Sequence, residues 1–214
     1  MIGIKYKGGV LIGSSLGAFY GSMNKFHSFE RLAEISRNLV IGSSGEMSDF
    51  QELTRILLEK VRKESFEEDN SKFLTPQSIA KYSSKISYNF RNKINPLLIS
   101  TIFAGFDKSP YLAYVDPYGT FLEDNWLVSG FAHYFSKTLL TNKWNPEINL
   151  ENAIQLIMEC FTVLVYRDAR TGNKVQLCYI DAEGTHYPDI QEIKGVWNLQ
   201  SFLDIDAPRQ FKSN

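Results

Sequence analysis

The sequence predicts an α+β protein built as a four-layer αββα sandwich, with two antiparallel sheets face to face and a helix pair outside each. Three observations lead there. Strands arrive in hairpin groups, and helices arrive two at a time between those groups. Single helices between strands, the signature of parallel βαβ units, are missing from the pattern. Several strands are also nearly continuous apolar runs, as a sheet covered on both faces requires.

Along the chain, Ile2, Ile4 and Tyr6 alternate with Gly3, Lys5 and Lys7, then Gly8-Gly9 supplies a turn into a buried strand over 10–12. Residues 32–35 and 39–43 pair across Arg37-Asn38, giving two hairpins in the first 45 residues. Ser48 and Gln51 have the spacing of a capping box, ahead of the stripe Phe50, Leu53, Leu57 and Val61. An acidic loop over 64–70 separates that helix from a second one. Thr75-Pro76 reads as its N-cap and first turn, Ile79, Tyr82, Ile86 and Phe90 as its inner face, and Asn95-Pro96 as its end. Strands follow over 97–106, 111–115 and 120–128, split by turns at 107–110 and 116–119. A second helix pair is expected over 131–140 and 150–166, with Ile154, Ile157, Phe161 and Leu164 inward. Closing strands over 174–180 and 185–193 flank a turn at 181–184.

The chain has 214 residues, 43% hydrophobic and 22% charged, ordinary values for a globular domain. A chain of this length buries roughly 70–75% of its unfolded surface, so its core needs neither metal nor disulfide. The boundaries expected are a domain over 1–195 and an extension over 196–214. The aromatic share is 14%, with 15 Phe and 11 Tyr, which suits a thick core or a surface meant for other proteins. Lys+Arg 23 against Asp+Glu 24 leaves no basic excess for a phosphate backbone, so no nucleic-acid partner is expected. The longest apolar run, residues 96–106, is interrupted by Ser100, Thr101 and Gly105 and is shorter than the about 20 residues of a bilayer span. The start has no secretory-signal pattern, and Cys160 and Cys178 sit in apolar surroundings that suit reduced core thiols. A soluble intracellular protein is expected, with no membrane partner.

Several short motifs dissolve on inspection. Gly13-Ser14-Ser15-Leu16-Gly17 matches a nucleophile elbow, but no helical period follows it, and a strand end running into a turn is the better reading. Gly42-Ser43-Ser44-Gly45 lacks the Lys-Ser/Thr of a phosphate-binding loop. His27, His133 and His186 share no ligand spacing with each other or with the cysteines, so neither a metal nor another cofactor is expected. Tyr166-Arg167-Asp168-Ala169-Arg170 gathers groups able to form ion pairs just before Gly172-Asn173.

Taken together and in order, several segments resemble the proteasome beta-subunit family, and within it the beta type-4 branch at the seventh position of the ring. They are Gly9-Val10-Leu11-Ile12, the stretch from Leu16 to Ser22, Ser44-Gly45-Glu46-Met47-Ser48-Asp49, Arg91-Asn92-Lys93-Ile94-Asn95-Pro96-Leu97 and Tyr166-Arg167-Asp168-Ala169-Arg170. The resemblance runs from Ile2 to about Phe202. It implies the N-terminal nucleophile hydrolase fold, in which an N-terminal threonine attacks with its own amine as base. It also implies where that chemistry has decayed. The family's threonine falls upstream of Met1, its aspartate on Ser15 and its lysine on Arg31. Gly45 holds the place of the oxyanion donor, Ser129 that of the family's Ser-Gly, and Asp168 is retained, while the serine expected three residues later is Thr171. A serine carries no charge, and an arginine cannot give up its proton near neutral pH.

The expectation is therefore a non-catalytic, structural subunit of the proteasome core particle in cytoplasm and nucleus. It would touch neighbouring beta subunits, alpha-ring subunits and the opposite beta ring. Arg91, Arg167, Asp168, Arg170, Trp197, Phe202 and Phe211 are the candidate partner-binding residues. The alternatives are an N-terminal-threonine peptidase whose true start lies upstream of Met1, and a free-standing amidohydrolase of the same fold.

Overall fold

The computed structural model describes residues 1–67 and 74–197. One sheet contains β1 (Ile2–Tyr6), β2 (Gly9–Ser15), β10 (Trp126–Val128), β11 (Lys174–Ile180), β12 (Thr185–His186) and β13 (Gln191–Glu192). Its order is β10-β1-β2-β11-β12, with β13 also on β11. The other contains β5 (Leu32–Ser36), β6 (Leu39–Gly45), β7 (Ile99–Phe106), β8 (Pro110–Val115) and β9 (Phe121–Glu123), in chain order. Every pairing is antiparallel. Helices α1 (Met47–Glu67) and α2 (Pro76–Asn92) cover the second sheet. The first is covered by α3 (Ala132–Phe135), α4 (Lys137–Lys143) and α5 (Leu150–Arg167). The α+β sandwich expected from the sequence is the fold observed.

Three apolar layers hold the four structural layers together. Val10, Ile12, Val40, Ile102, Leu112 and Cys178 fill the space between the sheets. Leu11, one residue out of phase with Val10 and Ile12, points instead toward Ile157, Phe161 and Leu164 of α5. Strand alternation over two buried faces thus explains the unbroken apolar run. Phe50, Leu53 and Leu57 of α1 and Ile79 and Ile86 of α2 make the third layer. Thr75 caps α2 as expected, its hydroxyl accepting from Ser78 N at 3.2 Å, and Asn149 does the same for α5 at 2.8 Å from Asn152 N.

Several details differ from expectation. Residues 120–128 are two strands in different sheets, because the chain crosses at Asp124-Asn125 from β8 to the edge of β1. A third hairpin, β3 (Ala18–Tyr20) with β4 (Met23–Phe26), turns on Gly21-Ser22. The first turn is Lys7-Gly8, since Gly9 already pairs with Tyr6. Ser48 is no N-cap: α1 starts at Met47, drawn forward where Glu46 N donates to Leu98 O and Asp49 accepts from Leu98 N. Tyr82 faces outward, and the buried Ser83 takes the inner position. The helix over 131–140 breaks at Ser136, the strand over 185–193 is two short pieces, and α1 extends to Glu67 into the expected acidic loop.

Candidate functional site

The residues expected to form a degenerate site are scattered through the sequence, and the sheets bring most of them to one end of the sandwich. β1 begins there. Met1 O accepts from Ser129 N at 3.0 Å, and Met1 N donates to Ser129 O at 3.2 Å, extending the pairing of Ile2 with Val128. Ser15 is the last residue of β2, and Arg31 enters β5, its carbonyl accepting from Ser43 N. Gly45 ends β6, and Gly130 packs against Ser44. The Asp168 turn reaches the same end through Gly172, whose backbone lies so close to Gly17 that a Cβ on Gly17 would sit 3.2 Å from Gly172 N.

Electrostatics inside this cluster are unusual. The Met1 α-amino group is enclosed, and burial, then the Arg31 charge, push it down to about 5 against a smaller opposing pull from Asp168. Arg31 itself is partly buried, and burial lowers its pKa. Its guanidinium donates to Gly17 O, and its Nε finds no partner.

Asp168 is spent on its own turn. Its carboxylate accepts from Thr171 Oγ1 at 2.6 Å and from Arg170 N at 3.0 Å, and its carbonyl accepts from Thr171 N. Among the described residues no ion pair joins it to Arg167 or Arg170, so the ion-pair cluster suggested by the sequence is a hydrogen-bonded turn. Gly45 is fixed by geometry. Its φ is +111° and an added Cβ would lie 2.2 Å from Leu98 O, so no other residue fits. Ser129 Oγ is buried without a partner.

The candidate partner-binding residues lie apart from one another. Arg167 and Arg170 flank the Asp168 turn, while Arg91 sits in the last turn of α2. Trp197 is 64% exposed and its ring lies tilted against that of Tyr166, with centroids 5.0 Å apart and Val196 N donating to the Tyr166 hydroxyl. Phe202 and Phe211 lie outside the described residues. The β3–β4 hairpin was missed by sequence reading. It stands between Gly17 and Arg31, closed by Phe29 N donating to Leu16 O, and leaves Tyr20, Met23 and Phe26 exposed. Its cue was the Gly21-Ser22 pair between aromatic residues. Among the described residues no group of His, Cys, Asp and Glu could hold a metal ion. No described helix is long and apolar enough to cross a membrane.

A family model described as a proteasome subunit matches residues 1–180. The chain belongs to the proteasome subunit family. Its relatives are beta subunits. The subunit is 34% identical over 208 residues to proteasome subunit beta type-4 of Arabidopsis thaliana, covering 97% of this chain and 84% of that one. It is 37% identical over 205 residues to the beta type-4 subunit of Dictyostelium discoideum, covering 94% and 76%. A probable beta type-7 subunit of Schizosaccharomyces pombe is 34% identical over 205 residues, covering 92% and 78%. The family resemblance seen in the sequence is thereby shown, and the subunit is a structural beta subunit of the proteasome core. The reading as a peptidase with an upstream start is not favoured.

Proposed function

We propose that the subunit cuts no peptides itself and serves the particle as architecture. It completes a seven-membered beta ring, contacts an alpha-ring subunit and grips the opposite beta ring, in cytoplasm and nucleus. The observation that carries the first part is Arg31. Active relatives need a lysine there, able to shed a proton, whereas this guanidinium is permanently charged and tied to the Gly17 carbonyl. Ser15, at the place of the family's aspartate, adds no negative charge. The retained Gly45, Ser129 and Asp168, with Thr171 bonded to the Asp168 carboxylate, then keep the shape of this end of the sandwich.

Gripping the opposite ring falls to the extension over 196–214. Trp197, Leu199, Phe202, Leu203, Ile205 and Phe211 make it too apolar for a solvated terminus, and segments of this kind gain their energy from aromatic anchors on a partner. Native mass spectrometry of the protein drawn from its source tests the assignment. The chain is expected in a particle of hundreds of kilodaltons alongside distinct alpha and beta subunits. Recovery as a free monomer would reject this reading in favour of a stand-alone hydrolase. Deleting residues 204–214 is expected to slow the pairing of half-particles and lower their salt resistance, and unchanged pairing would remove the tail from the account.

A further inference from the structure

We propose that the corner between α2 and β7 is a docking knob, in which Ile94 enters an apolar pocket rimmed by carboxylates on an adjacent subunit of the same particle. The helix ends in a Schellman motif: Asn95 N donates to Phe90 O at 3.2 Å and Ile94 N to Arg91 O at 3.0 Å. That motif demands a left-handed residue at its fifth place, normally glycine. Here it is an isoleucine at φ +59°, the one non-glycine residue with positive φ among those described. A β-branched residue is among the least suited to that conformation. It is also 93% exposed, so no contact within the chain compensates for the strain.

Strain and exposure coincide on one residue, and its surroundings repeat the theme. Leu98, just before β7, and Tyr88, on the helix that Ile94 follows, are exposed as well. The platform is rigid, with the Leu98 backbone bonded on both sides, N to Asp49 Oδ2 at 2.8 Å and O from Glu46 N at 3.0 Å. Arg91 lies over the Tyr88 ring at 5.1 Å. Neither Arg91 nor Lys93 has an ion-pair partner among the described residues. An exposed apolar side chain flanked on the helix side by the unpaired Arg91 and Lys93 is the complement of an apolar pocket with carboxylates at its edge. The same charges repel a second copy of this knob, which favours a different subunit as occupant. The inference rests on the reading of the chain as a ring subunit.

Cells carrying two tagged copies of the subunit, wild type and Ile94→Gly, provide the test, with the ratio of the copies in purified particles as readout. Glycine is the residue the turn prefers, so this variant keeps the local fold and reports the side chain alone. Its share is expected to fall about tenfold or more, as for loss of an interface anchor. Arg91→Glu with Lys93→Glu should fall as well. p-Benzoylphenylalanine in place of Ile94 should crosslink to another proteasome subunit within the particle. Equal incorporation of Ile94→Gly, or a crosslink only to a second copy of this chain or to a protein outside the particle, would overturn the proposal. Absence of the wild-type chain from particles would overturn the ring-subunit reading and the knob with it.

Discussion

The end of the sandwich around Met1 and the corner around Ile94 treat polar and apolar groups in opposite ways. At the first, charge is turned inward and taken up by the backbone, with Arg31 on the Gly17 carbonyl and Asp168 on Thr171 and Arg170 N. At the second, Arg91 and Lys93 face outward and an isoleucine stands almost bare in solvent. The glycines sharpen the contrast. Gly45 occupies a left-handed position where nothing else fits, whereas Ile94 occupies one where glycine would fit better. On the proposed reading, a site without chemistry keeps residues that satisfy its own fold, and a surface that meets a partner keeps a residue its own fold disfavours.

The comparison can be broken from either side. The largest effect is expected from Gly45→Ala, which combines a disfavoured φ with a Cβ driven into Leu98 O. A loss of about 3 kcal/mol or more is expected, read as depletion of the chain from assembled particles. Asp168→Ala removes the acceptor for two donors and should cost about 2 kcal/mol, less than breaking a buried ion pair would. Peptidase activity per assembled particle is expected to stay unchanged, and assembled but inactive particles would mean that the turn supports catalysis. Arg31→Lys should cost about 1.5 kcal/mol through the shorter reach to Gly17 O, without creating any new peptidase activity. New activity in such particles would show that the side chain at 31 is what silences the site. Ile94→Gly is the smallest and has the opposite sign. It should stabilise α2 by about 1 kcal/mol, seen as slower hydrogen exchange at the amides of residues 94 and 95 in the subunit before it is assembled.

Much of this architecture was legible because burial imposes a period on the sequence. Val10-Leu11-Ile12 alternates between two cores, and Thr75-Pro76 writes its cap into two adjacent residues. What escaped was set by tertiary contacts. Nothing local says that Asp124-Asn125 carries the chain from one sheet to the other, or that Leu98 draws the start of α1 to Met47. Tyr82 follows the helical period yet faces outward, because the smaller Ser83 fits beneath the sheet. At the site, the positions of Ser15, Arg31, Gly45 and Ser129 came from family resemblance, since no spacing joins residues from four different segments. The Asp168 cluster was legible as composition and misleading as chemistry, because its arginines contribute a backbone N–H and no ion pair.

The central proposal is that this beta subunit has no working nucleophile inside an otherwise active particle. Intact particles treated with an epoxyketone probe that captures N-terminal threonines, then digested and mapped by mass spectrometry, test it directly. Adducts are expected on other beta subunits and none on this chain. A probe adduct on the first residues of this chain, or on a threonine preceding Met1, would contradict the claim.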